Sequence, residues 1–195
     1  HGFHEIFDRD VGVLDVAEVA LPEQGHEVVL RLPAPAGRPA VQDHRLSRLA
    51  RQSQVAAEAE YAMRQAGAEE FWRTYVSSGP RTNIAHGLPT SRVLQTGDLV
   101  MIDIHPIVNG YSADICRTVC VGKPTAEQQT AYDLYLKAQQ STIAKVKAGV
   151  GMVELEQTIH GVIKEGGHGK HLFGPTIHGV GIEFEESPLP PGHAF

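Results

Sequence analysis

The hydrophobic pattern along the chain changes character near Arg45. From Arg45 to Gln65, apolar residues recur at helical spacing among good helix formers, which predicts an amphipathic helix that Gly67 ends. Residues 1–50 carry scattered apolar positions and a Pro/Gly-rich patch, which predict strand fragments followed by a linker. We therefore divide the chain into an N-terminal region of uncertain role, 1–50, and a domain over 51–195.

Short apolar runs between turn residues predict strands in the middle of the chain. They cover 71–77, 99–104 and 111–121. Thr125 and Gln128 form a capping box that predicts a helix over 125–148, and a second helix is predicted over 152–164. The order of helix, strands and helix pair predicts an α+β fold with an antiparallel sheet and helices packed on one face.

Charge and composition narrow the class of protein. The net charge of -6, without any basic run, argues against nucleic-acid binding, because neutralising phosphates requires clustered Lys and Arg. No apolar run is long enough for a membrane helix, and no signal sequence opens the chain, so we expect a cytoplasmic protein without a membrane partner. Cys116 and Cys120 are expected to be reduced thiols.

Two aspartates carry the strongest chemical signal. Asp103 and Asp114 flank a turn between predicted strands, and both have apolar neighbours. A single Asp in a turn usually caps backbone groups. An ionised carboxylate among apolar side chains, however, needs a cation or several hydrogen-bond donors, and a metal ion would supply that compensation.

Three segments in the same order resemble the dinuclear metallopeptidases of the pita-bread fold, the family of methionine aminopeptidase, aminopeptidase P, prolidase and creatinase. In chain order, residues 83–87 resemble the family's segment with a catalytic-site histidine, residues 103–118 resemble its metal-binding hairpin, and residues 178–188 resemble its segment with a metal-binding histidine. The resemblance covers about residues 57–190 and is strongest to an Xaa-Pro peptidase.

The resemblance implies roles for particular residues. Asp103 would bind one metal, Asp114 would bridge both and His178 would bind the second, while His86 would hold the substrate or stabilise the tetrahedral intermediate. It implies hydrolysis of a peptide bond by a water that bridges two divalent metal ions, on a peptide with proline at the second position. Manganese is the family-based expectation, and cobalt, zinc or iron would also suit these ligands. A homodimer is a further expectation.

The sequence also departs from the family pattern. Glu185 stands where a second catalytic histidine is usual, Cys116 replaces a threonine, and residues 104–106 replace a glycine-containing run. The family's two glutamate ligands would lie beyond Phe195. We therefore expect 51–195 to be a partial catalytic domain, truncated at its C-terminus, that by itself binds metal weakly and hydrolyses little.

Two other functions remain open on the same fold. One is a catalytically inactive binding protein, since a fold can persist after its chemistry is lost. The other is a metal-independent amidinohydrolase of the creatinase type, against which the retained aspartate pair argues. His105, His168 and His171 lie near turn residues, and we expect them to be solvent-exposed or merely hydrogen-bonded, outside the site.

Overall fold

A computed structural model describes residues 27–29, 45–47, 51–172 and 174–191. The helices and strands are β1 (Glu27–Val29), β2 (Arg45–Ser47), α1 (Gln52–Gln65), β3 (Glu70–Ser78), β4 (Leu99–Val108), β5 (Tyr111–Ser112), β6 (Ile115–Cys120), α2 (Ala126–Ile143) and α3 (Met152–Glu165). Apart from β1 and β2, the strand fragments and linker predicted within residues 1–50 lie outside the described residues.

The chain forms two compact units. The first contains the described residues within His1–Ala66, Thr74–Asp103 and Cys116–Lys123; the second contains those within Gly67–Arg73, Ile104–Ile115 and Pro124–Phe195. The unit boundaries fall inside β3, β4 and β6, so each of these strands belongs partly to each unit. The prediction of one domain over residues 51–195 stays a prediction.

In the first unit, α1 begins later than its pattern predicts. Arg45–Ser47 is not helical but forms β2, which pairs antiparallel with β1. The helix begins at Gln52, where the side chain of Gln54 accepts a hydrogen bond from the backbone N–H of Arg51 at 2.8 Å. It ends at Gln65, as predicted, and buries one apolar face at helical spacing, made of Val55, Ala56, Ala59 and Met63.

A polar network is buried in the same unit. The Gln52 side chain is fully buried; it donates to the Ser78 hydroxyl at 2.8 Å and accepts from the Thr90 hydroxyl at 2.7 Å. Arg92 forms a bidentate pair with Asp98, and these hydrogen bonds raise the pKa of the Arg92 guanidinium against the opposing effect of burial. The network ties α1 to the end of β3 and to the turn before β4.

β4 is the central strand of a sheet with the order β3–β4–β5, and β6 also pairs with β4. It runs four residues further than predicted and meets β5 antiparallel through a two-residue turn, with Ile107 opposite Ser112. Both turn residues, Asn109 and Gly110, have positive φ, 52° and 77°. Positive φ at both positions is typical of the tight hairpin turns that Asn-Gly favours.

The two helices of the second unit pack against each other. The Thr125 hydroxyl accepts from the Gln128 backbone N–H, so the predicted capping box of α2 is confirmed. α2 ends at Ile143, earlier than predicted, because the next backbone N–H groups, from Lys145 onward, bond three residues back and form tight turns. α3 extends one residue beyond its prediction. The α+β class is confirmed, and no helix among the described residues could span a membrane.

Candidate metal centre

β4 brings the first two side chains of the site together. Asp103 and His105 are two positions apart on this continuous strand, so they project from the same face. Both are buried, with 7% and 2% of their surface exposed. The strand, predicted to stop at residue 104, therefore includes His105 and holds it next to Asp103.

The tight hairpin places Asp114 across from these residues. The strand predicted over 111–121 is interrupted at Ala113 and Asp114, which separate β5 from β6. The Ala113 N–H still donates to the carbonyl of Pro106 at 2.9 Å, which continues the register of the hairpin and sets Asp114 opposite His105. Ligand atoms of Asp103, His105 and Asp114 all lie within 4.8 Å of one another.

His178 completes the cluster from the far end of the chain. Its Nε2 atom lies 3.3 Å from Oδ2 of Asp114, and its Nδ1 atom lies 2.9 Å from the carbonyl oxygen of Gly179. On the other side of the same carboxylate, Nε2 of His105 lies 3.6 Å from Oδ1. Asp114 therefore presents one oxygen to each imidazole.

The segment around His178 is anchored on both sides. Before it, the backbone N–H and the hydroxyl of Thr176 both donate to the Glu156 carboxylate on α3, at 2.9 and 3.0 Å. After it, the Ser112 N–H donates to the carbonyl of Gly181 at 2.7 Å, and the Ser112 hydroxyl donates to the carbonyl of Ile182. These contacts hold His178 beside the hairpin that carries Asp114.

Hydrogen bonding fixes the tautomer of both histidines. Nδ1 of His105 lies 2.8 Å from the carbonyl oxygen of Arg73, and Nδ1 of His178 lies 2.9 Å from the carbonyl oxygen of Gly179. A carbonyl only accepts, so each Nδ1 carries a proton, and Nε2 of each ring is the atom that faces the Asp114 carboxylate. Imidazole nitrogen atoms and carboxylate oxygen atoms are both ligand atoms for divalent metal ions. The site therefore fits a divalent metal.

His86 lies in the first unit, in the loop between β3 and β4, and precedes both aspartates in the sequence. Its exposed ring stacks on Tyr75, with ring centroids 5.2 Å apart, and the Val76 N–H donates to the carbonyl of the neighbouring Gly87. These contacts order the loop without assigning it a role. The predicted role of His86 in substrate or intermediate binding stays a prediction.

Glu185, which departs from the family pattern, lies half-buried in a tight loop after His178. The neighbouring Phe184 stacks on Trp72 with ring centroids 4.0 Å apart. Glu186 closes the loop, since its N–H donates to the carbonyl of Gly179 at 3.0 Å. The loop also places the Phe184 ring beside His105, with ring centroids 5.4 Å apart.

Residues 34–194 match metallopeptidase family M24. The Xaa-Pro dipeptidase of Pyrococcus furiosus is 37% identical over 139 residues, which are 71% of this chain and 40% of that protein. The solved prolidase from Pyrococcus horikoshii OT3 aligns with a TM-score of 0.70 at 34% identity, over 73% of this chain and 42% of that one. For the X-Pro aminopeptidase from Thermotoga maritima MSB8 the TM-score is 0.69 at 34% identity, over 72% and 40%.

The chain therefore belongs to metallopeptidase family M24. Its likeness to these solved structures confirms the predicted pita-bread fold, and the family implies divalent metal ions. The chain spans about two fifths of the length of the relatives it matches.

His105 is the residue that sequence reasoning left out of the site. It is hydrogen-bonded, in line with one of the two expectations, but it is buried on a strand and faces Asp114. The available signal was its position two residues after Asp103, which places both on one face if the strand continues. His168 and His171 lie close together in the segment that follows α3, with ring centroids 5.7 Å apart.

Proposed function

We propose that the protein hydrolyses a peptide bond with the help of two divalent metal ions, as an Xaa-Pro aminopeptidase or dipeptidase. The observation that carries this proposal is the shared carboxylate of Asp114, whose two oxygens face the imidazoles of His105 and His178 at 3.6 and 3.3 Å. A carboxylate with a nitrogen donor beside each oxygen suits a group that bridges two cations.

In this proposal the chain's own residues hold and orient the metal ions. Asp103 would hold one ion, Asp114 would hold both, and His178 would hold the other. Two such ions, when bound, lower the pKa of a shared water and polarise the carbonyl that is attacked. His86 contacts the substrate or the developing negative charge from the loop before β4.

The substrate class rests on the relatives. The matched proteins are named for Xaa-Pro dipeptidase, prolidase and X-Pro aminopeptidase activity. We therefore propose a peptide with proline at the second position as substrate, and manganese as the first metal to test. A cytoplasmic location and a homodimer stay predictions.

The test is hydrolysis of an Xaa-Pro dipeptide, compared with the matching Xaa-Ala dipeptide, by the intact protein supplied with Mn²⁺. We expect proline-dependent hydrolysis that EDTA stops and that Asp114→Asn reduces by at least about 100-fold, because the bridging group is lost. The matched control is Asp133→Asn, which makes the same change from carboxylate to amide at an exposed position on α2 and should retain activity.

Two outcomes would overturn the proposal in favour of the other functions. Tight peptide binding without hydrolysis, with metal present, would indicate a binding protein on this fold, in keeping with the replacement of a catalytic histidine by Glu185. Hydrolysis of an amidine substrate that is insensitive to EDTA and to Asp114→Asn would indicate the creatinase-type chemistry.

A further inference from the structure

The buried histidine on β4 has a geometry that the predicted ligand set does not use. His105 is 2% exposed, its Nδ1 donates to the carbonyl of Arg73 at 2.8 Å, and its Nε2 lies 3.6 Å from Oδ1 of Asp114. In metal-binding histidines the N–H of the second ring nitrogen commonly donates a hydrogen bond to a backbone carbonyl. This bond fixes the tautomer and aims the lone pair of the other nitrogen at the metal. His105 has this arrangement.

His178 provides a comparison within the same site. Both imidazoles place Nδ1 on a backbone carbonyl and turn Nε2 toward Asp114, His105 at Oδ1 and His178 at Oδ2. The two rings are therefore equivalent in orientation and differ in which oxygen they face. If His178 binds the cation on its side, His105 is the matching nitrogen on the other side.

Asp103 belongs to the same group of possible ligands as His105 and Asp114. The three ligand atoms of Asp103, His105 and Asp114 lie within 4.8 Å of one another, a spacing at which one ion can contact all three. We infer that His105 is a further metal ligand, which gives the ion held by Asp103 and Asp114 an imidazole of its own. This inference rests on the proposed metal function.

Aromatic packing holds the His105 ring in this orientation. Trp72 and Phe184 stack on each other, and both meet the His105 imidazole edge-on, with ring centroids 5.8 and 5.4 Å away. A ring fixed by packing and by one hydrogen bond loses little entropy when its remaining nitrogen binds a metal. The nitrogen is thus preorganised.

An added imidazole changes which metals the site prefers. Oxygen-rich sites suit manganese, whereas imidazole ligands suit zinc, iron and copper. With His105, the described donors are two carboxylates and two imidazoles. We therefore expect the substitution His105→Phe, which keeps a ring of similar shape, to weaken Zn²⁺ binding by about 10- to 100-fold and Mn²⁺ binding by less.

The experiment is titration of the intact protein with Zn²⁺, followed by the ring nitrogen resonances of ¹⁵N-labelled histidine and by calorimetry. In the unsubstituted protein we expect the Nε2 resonances of both His105 and His178 to shift on metal binding. In His105→Phe one of these shifting resonances disappears and the Zn²⁺ affinity falls. The control is His171→Phe, a change at a histidine outside the cluster, which should leave the two shifting resonances and the Zn²⁺ affinity unchanged.

The outcomes separate this inference from the proposed function. Zn²⁺ binding that shifts the His178 resonance but not that of His105, or an affinity unchanged in His105→Phe, would overturn the inference and leave the proposed metal site standing. If Zn²⁺ shifts neither resonance, the proposed function and the inference both fail. Because the resonances are read in the unsubstituted protein, the result does not depend on the folding of a variant.

Discussion

Replacing Asp114 with asparagine should separate metal binding from folding. Without metal, and at a pH at which an imidazole is neutral, the Asp114 carboxylate faces the accepting Nε2 atoms of His105 and His178 at 3.6 and 3.3 Å, and two acceptors form no hydrogen bond with each other. Asparagine carries an N–H₂ group that can donate to one of these Nε2 atoms. The substitution therefore adds a donor to a group of acceptors.

The expected magnitude is small without metal and large with it. A neutral hydrogen bond contributes about 0.5–1.5 kcal/mol, and the Asp114 side chain is 22% exposed, so Asp114→Asn should raise the free energy of unfolding by roughly 0.5 kcal/mol in EDTA. Metal at about 100 times its Kd should stabilise the unsubstituted protein by about 2.7 kcal/mol. That stabilisation should vanish in the variant.

Urea denaturation at neutral pH, in EDTA and in saturating Mn²⁺, measures both effects, provided that the dependence on urea is the same for both proteins. Asp133→Asn is the control and should keep the full metal-dependent shift. A decrease of more than about 2 kcal/mol in the free energy of unfolding in EDTA would contradict this prediction, since it would mean that the Asp114 carboxylate stabilises the metal-free fold. A metal-dependent shift that persists in Asp114→Asn would refute it as well.

Three further perturbations test the architecture around the site. Gly79→Ala should lower the free energy of unfolding by about 2–3 kcal/mol, and its control Gly67→Ala by about 1 kcal/mol. Both glycines have positive φ, but only at Gly79 would an added Cβ meet the pair formed by Asp98 and Arg92. Glu156→Ala should weaken metal binding by about 10-fold in calorimetry, and Glu156→Gln, which keeps the accepting oxygen, should not. Burial raises the pKa of the Cys120 thiol above its usual range, so the unfolded thiol ionises first and stability should fall as the pH rises through the ordinary pKa of a thiol. In urea denaturation Cys120→Ala should reduce this fall, and Cys116→Ala should not.

Local signals predicted the elements that local interactions stabilise. The helix predicted over 152–164 is observed as Met152–Glu165, and the capping box at Thr125 begins α2 as expected. The predicted start of α1 near Arg45 is wrong, because Arg45–Ser47 pairs with β1. Pairing with a distant strand can override a local helical pattern.

The site shows the same division between local and distant information. Asp103 and Asp114 stand out in the sequence because they flank a turn and have apolar neighbours. The placement of His105 beside them depends on how far β4 extends and on the register of the hairpin. The Asn109-Gly110 turn sets that register, and its sequence is a hairpin signal that could have placed residue 105 opposite residue 114. The position of His178 depends on contacts with α3 and β5, which no local pattern contains.

The most direct test of the metal centre is an anomalous difference map from crystals of the intact protein soaked in Mn²⁺. We expect density beside both oxygens of Asp114, with Asp103 next to one ion and Nε2 of His178 next to the other. Density confined to other parts of the molecule, or none beside Asp114 at saturating Mn²⁺, would contradict it.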